Sequence, residues 1–86
     1  MKNILKNKNC LITGATGGIG KHIVKSLVEQ DCNVFLTSKN NIKLKNFSES
    51  LKTNNSKINY FAADLNNSSQ ITRLIKKVTT SFSSTD

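Results

Sequence analysis

The chain lacks most of the residues that announce a chemistry. Among 86 residues it has no Trp, one Tyr and one His. Four Phe and 36% apolar residues are a modest supply for a core, yet enough for a globular chain rather than a disordered one. A chain this short buries only about 60–65% of its unfolded surface, so one small, marginally stable domain is expected. Its two cysteines, Cys10 and Cys32, fit no metal-ligand spacing and read as free thiols, buried or half-buried. No metal site is expected. No apolar run approaches the roughly 20 residues that span a bilayer. Asn7-Lys8-Asn9 interrupts any apolar leader at the N-terminus. The cytosol is the expected compartment, without a membrane partner. Acids are also scarce: five against thirteen basic residues, a net charge of +8.

Such a balance admits nucleic acid as a partner. The basic residues form no block, however. Lys2, Lys6 and Lys8 stand at the start, and Lys43, Lys45, Lys52 and Lys57 in the middle. Asn occupies twelve positions. Scattered Lys and Asn read as compositional bias, and no nucleic-acid partner is expected. There is no internal repeat and no low-complexity linker.

What is present is concentrated in one stretch. All four glycines lie at 14, 17, 18 and 20, within Leu11-Ile12-Thr13-Gly14-Ala15-Thr16-Gly17-Gly18-Ile19-Gly20-Lys21. An apolar run stops there and an amphipathic pattern begins at once: strand, tight turn, helix. Glycine gathers where φ must be positive or where something approaches the backbone closely. The helix mouth behind such a turn presents unpaired N–H groups and the positive end of the dipole, which suits a phosphate. A bare βα turn without a ligand needs only one glycine.

Strand one is expected from Lys8 or Asn9 to Thr13, as a central parallel strand covered on both faces. Helix one runs from about Gly18 to Gln30, with Ile19, Ile23 and Leu27 on its apolar stripe and Val24 and Val28 beside them. His22 reads as a solvent-facing helix residue. After the short link Asp31-Cys32 comes strand two, Asn33 to Thr37. Asn40 or Asn41 caps helix two, which runs to about Lys52 with Leu44, Phe47 and Leu51 inward. Strand three runs from Ile58 to Ala63. Ser68 or Ser69 caps helix three, with Ile71, Leu74, Ile75, Val78 and Phe82 on one face. Ile4 and Leu5 are expected to pack under the sheet, and Ser83-Ser84-Thr85-Asp86 to form a loop into a further strand. The fold class is therefore α/β: a partial doubly wound (Rossmann) parallel sheet, β-α-β-α-β-α. Right-handed crossovers predict the strand order 3-2-1.

The spacing Thr13-Gly14-x-x-x-Gly18-x-Gly20, directly after a first strand, resembles the short-chain dehydrogenase/reductase family. Gly14, Gly17 and Gly20 also satisfy the spacing of its extended branch. Gly18-Ile19-Gly20 favours the shorter, reductase-rich branch. The resemblance covers the whole chain, but only the family's N-terminal, cofactor-binding part. Residues 1–86 then form a single NAD(P)-binding half-domain, cut off before strand four, and strand one presents a bare apolar edge. The family's Asn-Asn-Ala-Gly, catalytic Ser and Tyr-x-x-x-Lys do not occur here. Tyr60 cannot be that Tyr, because Asp64 stands four residues on. No catalytic residue is assigned, and the 86 residues alone are expected to be inactive.

The resemblance implies a dinucleotide whose diphosphate is lined by Gly14, Thr16, Gly18, Ile19 and Gly20. Ser38-Lys39, at the tip of strand two, faces the adenosine ribose. An NAD site offers a carboxylate there; an NADP site offers hydroxyl and cation. No acid lies between Asp31 and Glu49, so Ser38 and Lys39 favour NADP(H) over NAD. The family's second basic residue is missing, its place taken by Gly17. A solvated lysine on a basic protein is the competing reading of Lys39. Asp64 and Leu65, at the end of strand three, resemble the family's adenine-binding pair. Asp64 equally suits an Asx-turn or a helix cap. Within the family the sequence looks most like the 3-oxoacyl-acyl-carrier-protein reductases of fatty-acid synthesis, which implies a homo-oligomer for the complete enzyme. The alternatives are a stand-alone nucleotide-binding or regulatory module without catalysis, and a basic nucleic-acid binder.

Overall fold

In a computed structural model the chain is described over residues 5–51, 53 and 55–83. Ile4, the Lys52 end of helix two, and Ser84-Thr85-Asp86 lie outside the described residues. The elements run β1 (Asn9–Thr13), α1 (Gly18–Glu29), β2 (Asn33–Thr37), α2 (Asn41–Ser50), β3 (Ile58–Tyr60) and α3 (Ser68–Ser83).

The three strands form one parallel sheet in the order β1-β2-β3, which from the other edge reads 3-2-1. Thr13 pairs with Thr37 and Leu36 with Tyr60, so the strand ends lie side by side. Every residue of β2 is buried, as a central strand requires. Asn33 ties the three strand starts together. Its amide donates to Asn9 Oδ1 at 3.1 Å, and its oxygen accepts from the Lys57 N–H at 2.9 Å.

Alternation along β2 supplies both sheet faces. Val34 and Leu36 point to one face, where Val24 and Val28 of α1 and Leu44 and Phe47 of α2 cover them. Phe35 points to the other, against Leu74 of α3, with Val78 and Phe82 at its margin. Phe35 and Phe82 meet edge to face, with centroids 6.3 Å apart. Leu36, Leu44, Val24 and Val34 are wholly buried, each contributing about 1.5–3 kcal/mol relative to exposure.

Several details depart from the sequence expectations. β1 is an outer strand covered on one face only. Leu11, in register with Phe35, remains 45% exposed because α3 packs over β2 instead. Ile19 and Ile23 of α1 do not join the core: they are 82% and 47% exposed. The α1 stripe that packs is Val24, Leu27 and Val28. Ile75 of α3 is likewise 56% exposed. β3 is shorter than expected. The chain nevertheless stays alongside β2, with the Phe61 N–H on the Leu36 carbonyl at 3.0 Å and the Ala63 N–H on the Ser38 carbonyl at 2.9 Å. Asn40 caps α2 as expected, accepting from the Lys43 N–H at 3.0 Å. α3 is capped by Asn67 rather than by Ser68 or Ser69. Its Oδ1 accepts from the N–H groups of Ser69 and Gln70 at 3.1 and 3.2 Å.

Cys10 and Cys32 are free thiols with sulfurs 3.0 Å apart, at the opposite end of the sheet from the glycine turn. Burial, reinforced by the neighbouring Cys10 thiol, pushes the Cys32 thiol up to about 12. Among the described residues no helix is long and apolar enough to cross a membrane, and no three His, Cys, Asp or Glu gather as a metal-binding group.

Candidate functional site

The turn from β1 into α1 is built from backbone. Gly14 takes φ 61, in the left-handed region that disfavours a side chain. Its carbonyl accepts from the Gly17 N–H at 3.1 Å, while the Ala15 N–H donates to the Thr37 carbonyl at 3.1 Å. The turn is thereby fastened to the end of β2. Gly20 is also demanded by packing. A Cβ there would collide with the Gly14 carbonyl oxygen and lie 3.0 Å from the carbonyl carbon.

Gly17 and Gly18 differ. An added Cβ would meet nothing within 4 Å at Gly18, and only an ordinary 3.5 Å contact at Gly17. Both are exposed. The fold does not need them bare, yet their bareness leaves the mouth of α1 open. Gly17 enters the helix with extended backbone, and no side chain caps α1. The amides of Gly18, Ile19 and Gly20 open the helix and have no acceptor within it. Together with the dipole they make a seat for an anion. Ile19, 82% exposed, stands at that mouth. His22 is exposed on α1.

The tips of β2 and β3 face the same opening. Thr16 Oγ1 donates to Ser38 Oγ at 3.2 Å, linking the turn to the β2 tip. Lys39 reaches across to Asp64, with Nζ 3.9 Å from Oδ1 and the two side chains 70% and 41% exposed. An ion pair so exposed contributes about 0–1 kcal/mol. Asp64 Oδ1 accepts from the Asn66 N–H at 2.9 Å, which is the Asx-turn anticipated as the alternative. The same turn holds the carboxylate at the rim of the opening. Between the tips lies a cavity of about 200 Å³, lined by Gly14, Thr37, Ser38, Lys39, Asp64 and Leu65 among others. Sites for whole drug-sized ligands run to about 300–1,000 Å³, so this one suits a single ring of a larger ligand.

Of the nine site residues named from sequence, five line this cavity: Gly14, Ser38, Lys39, Asp64 and Leu65. Thr16 joins them through Ser38, and Gly18 and Ile19 stand at the helix mouth. Gly20 lies behind the turn, where its visible role is to let the helix approach Gly14. Three participants were missed. Thr37, buried, forms part of the wall and donates to the Phe61 carbonyl at 2.8 Å. Asn66 closes the Asx-turn. Gln70 of α3 accepts from the Asp64 N–H at 2.7 Å. The partners of Thr37 and Gln70 come from other segments, which spacing along one segment does not reveal, whereas the Asn66 N–H is local and belongs to the Asx-turn that Asp64 allows.

The short chain dehydrogenase family profile matches residues 8–86. This chain belongs to the short-chain dehydrogenase family. A short chain dehydrogenase/reductase of Colletotrichum higginsianum is 26% identical over 82 residues, covering 95% of this chain and 31% of that protein. L-sorbose reductase from Gluconobacter frateurii, solved with NADPH and L-sorbose, superimposes with a TM-score of 0.86 at 23% identity. The match covers 95% of this chain and 32% of the reductase. A family member from Burkholderia phymatum, solved with NAD, gives 0.83 at 19% identity, over 92% of this chain and 28% of its own. These solved structures support the fold. The chain spans about a third of the length of the relatives it matches and corresponds to the N-terminal nucleotide-binding region of this oxidoreductase family.

Proposed function

We propose that the chain binds NADP(H) and forms the cofactor-binding part of a short-chain oxidoreductase that reduces carbonyl compounds. The amides at Gly18 and Ile19 would seat the diphosphate, with Gly14, Thr16 and Gly20 shaping the turn beneath it. Ser38 and Lys39 would take the 2′-phosphate. The Asp64 carboxylate would accept from the adenine amine, and the Leu65 backbone would address a ring nitrogen. The bound cofactor supplies hydride chemistry at its nicotinamide. The chain's own share is to bind and orient. No proton-transfer residue is assigned, since no Tyr-x-x-x-Lys stands in the sequence. A 3-oxoacyl thioester is the substrate class the resemblance favours, in a cytosolic homo-oligomer.

One observation carries the binding proposal: the open, uncapped mouth of α1 at Gly18 and the ring-sized cavity adjoin at Gly14. The choice of NADP(H) rests on the β2 tip, where Lys39 stands and no acid lies between Asp31 and Glu49. Calorimetric titration with NADPH and NADH tests it. NADPH is expected to bind more tightly, and Lys39→Asp to move the preference towards NADH by about tenfold, or about 1.4 kcal/mol. Equal affinities before and after the substitution would remove Lys39 from the proposal.

A further inference from the structure

A second opening adjoins the site on the far side of Ser38. It is a groove of about 440 Å³ between α1 and α2, lined by Thr16, Lys21, Lys25, Lys43, Asn46 and Phe47 among others. Three ammonium-bearing side chains line it, and no carboxylate does. Among the described residues the one ion pair is Lys39 with Asp64, so these lysines have no acidic partner at bridging distance. Lys21 is placed by its Nζ lying 5.6 Å from the centre of the Phe47 ring. Lys43 sits in the first turn of α2, whose entry Asn40 caps. The groove begins beside the proposed ribose site, because Thr16, part of its wall, donates to Ser38 Oγ at 3.2 Å.

The charge balance at the tip is incomplete without this groove. A phosphate monoester carries about −1.5 to −2 at neutral pH. Lys39 brings +1, but Asp64, 3.9 Å away, brings −1. That pair together carries no net charge, so Asp64 offsets much of the attraction that Lys39 offers a phosphate. Lys21 and Lys43 stand in the first turns of the two helices that begin shortly after Thr16 and Ser38, and among the described residues neither has an acidic partner at bridging distance. Lys25 lies one helical turn further from the tip.

Resting on the proposed NADP(H) reading, we infer that Lys21 and Lys43 are specificity-determining residues. They supply the positive charge that holds the cofactor's 2′-phosphate against the Asp64 carboxylate. The phosphate lies on the groove side of Ser38, and the adenine lies in the cavity on the other side.

The test is a calorimetric titration of the 86-residue chain with NADPH, NADH and inorganic phosphate. The variants are Lys21→Gln, Lys43→Gln and, as a control, Lys25→Gln, each with its melting curve recorded. Lys21→Gln and Lys43→Gln are expected to weaken NADPH binding about three- to tenfold each, in line with partly exposed charge-assisted contacts. NADH binding should stay within about twofold, and Lys25→Gln should change neither cofactor by more than that. If NADPH is still preferred over NADH and both variants bind it like the parent, the inference is wrong and the Lys39 reading survives. Equal losses of NADPH and NADH would also overturn it, assigning the lysines to the diphosphate or the fold. Inorganic phosphate binding as tightly as NADPH, and lost in the same two variants, would mark a free-anion site instead. A parent chain that binds neither dinucleotide would sink this inference together with the reading beneath it.

Discussion

The glycine turn and the two strand tips face one opening but are built by different means. The turn is backbone throughout. Gly14 holds a left-handed φ, Gly20 admits the helix against the Gly14 carbonyl, and the Ala15 N–H pins the loop to Thr37. The tips are held by side chains: Thr16 on Ser38, Asp64 on the Asn66 N–H, Gln70 on the Asp64 N–H, Lys39 loosely on Asp64. At Gly14 and Gly20 this backbone cradle tolerates almost no variation, because a side chain there strains the fold itself. Side-chain tips are separately replaceable. On the proposed reading, a seat common to any dinucleotide would lie in the turn, and the choice between dinucleotides at the tips and the groove beside them.

The largest expected effect breaks the cradle. Gly20→Ala forces a methyl into the Gly14 carbonyl, with Ala15 Cα 3.1 Å away. Overpacking against backbone of this kind costs about 3 kcal/mol. Thermal or urea unfolding followed by circular dichroism should show most of the cooperative transition lost. A variant as stable as the parent would mean that turn and helix can separate cheaply, and the contrast with the tips would vanish.

A smaller effect is expected at the tips. Gln70→Ala removes the acceptor of the part-buried Asp64 N–H and should cost about 1 kcal/mol. It frees the Asp64 turn while leaving the glycine turn intact. NADPH affinity should fall modestly with the fold retained. Global unfolding would show that the tips are as integral to the fold as the turn.

Near neutral pH the smallest effect lies at the far end of the sheet, where it serves as a reference for both regions. The Cys32 thiol is raised from 9.0 to about 12. The unfolded chain therefore loses this proton first as pH rises. Its stabilising share is fully present below pH 9.0 and declines from there towards about 12. Urea midpoints of the parent and of Cys32→Ala should diverge in the parent's disfavour as pH rises above 9.0. Parallel curves would contradict the burial of the thiol.

Much of this arrangement is legible in the residues themselves. Four glycines in seven positions, behind an apolar run, specify the strand, turn and helix, and β2 appears with its expected bounds. Periodicity identifies the helices but not where their apolar stripes stop being covered. Ile19 and Ile23 keep the period, yet stay exposed while Val24, Leu27 and Val28 pack into the core. Capping chemistry is ambiguous wherever Asn and Ser are adjacent, so Asn67 rather than Ser68 or Ser69 fills the α3 cap. The contacts of Thr37 and Gln70 depend on segments meeting in space. The lysine groove is of the same kind: Lys21 and Lys43 are 22 positions apart and read as scattered charge until α1 and α2 pack side by side.

The most direct measurement is a calorimetric NADPH titration of the 86-residue chain and of Gly18→Val, with melting curves alongside. An added Cβ at Gly18 meets nothing within 4 Å, so the variant should keep its stability to within about 1 kcal/mol. Its branched side chain would occupy the helix mouth, and NADPH affinity should fall by about tenfold or more. A stable variant that binds NADPH as tightly as its parent would contradict the assignment of the cofactor to the mouth of α1.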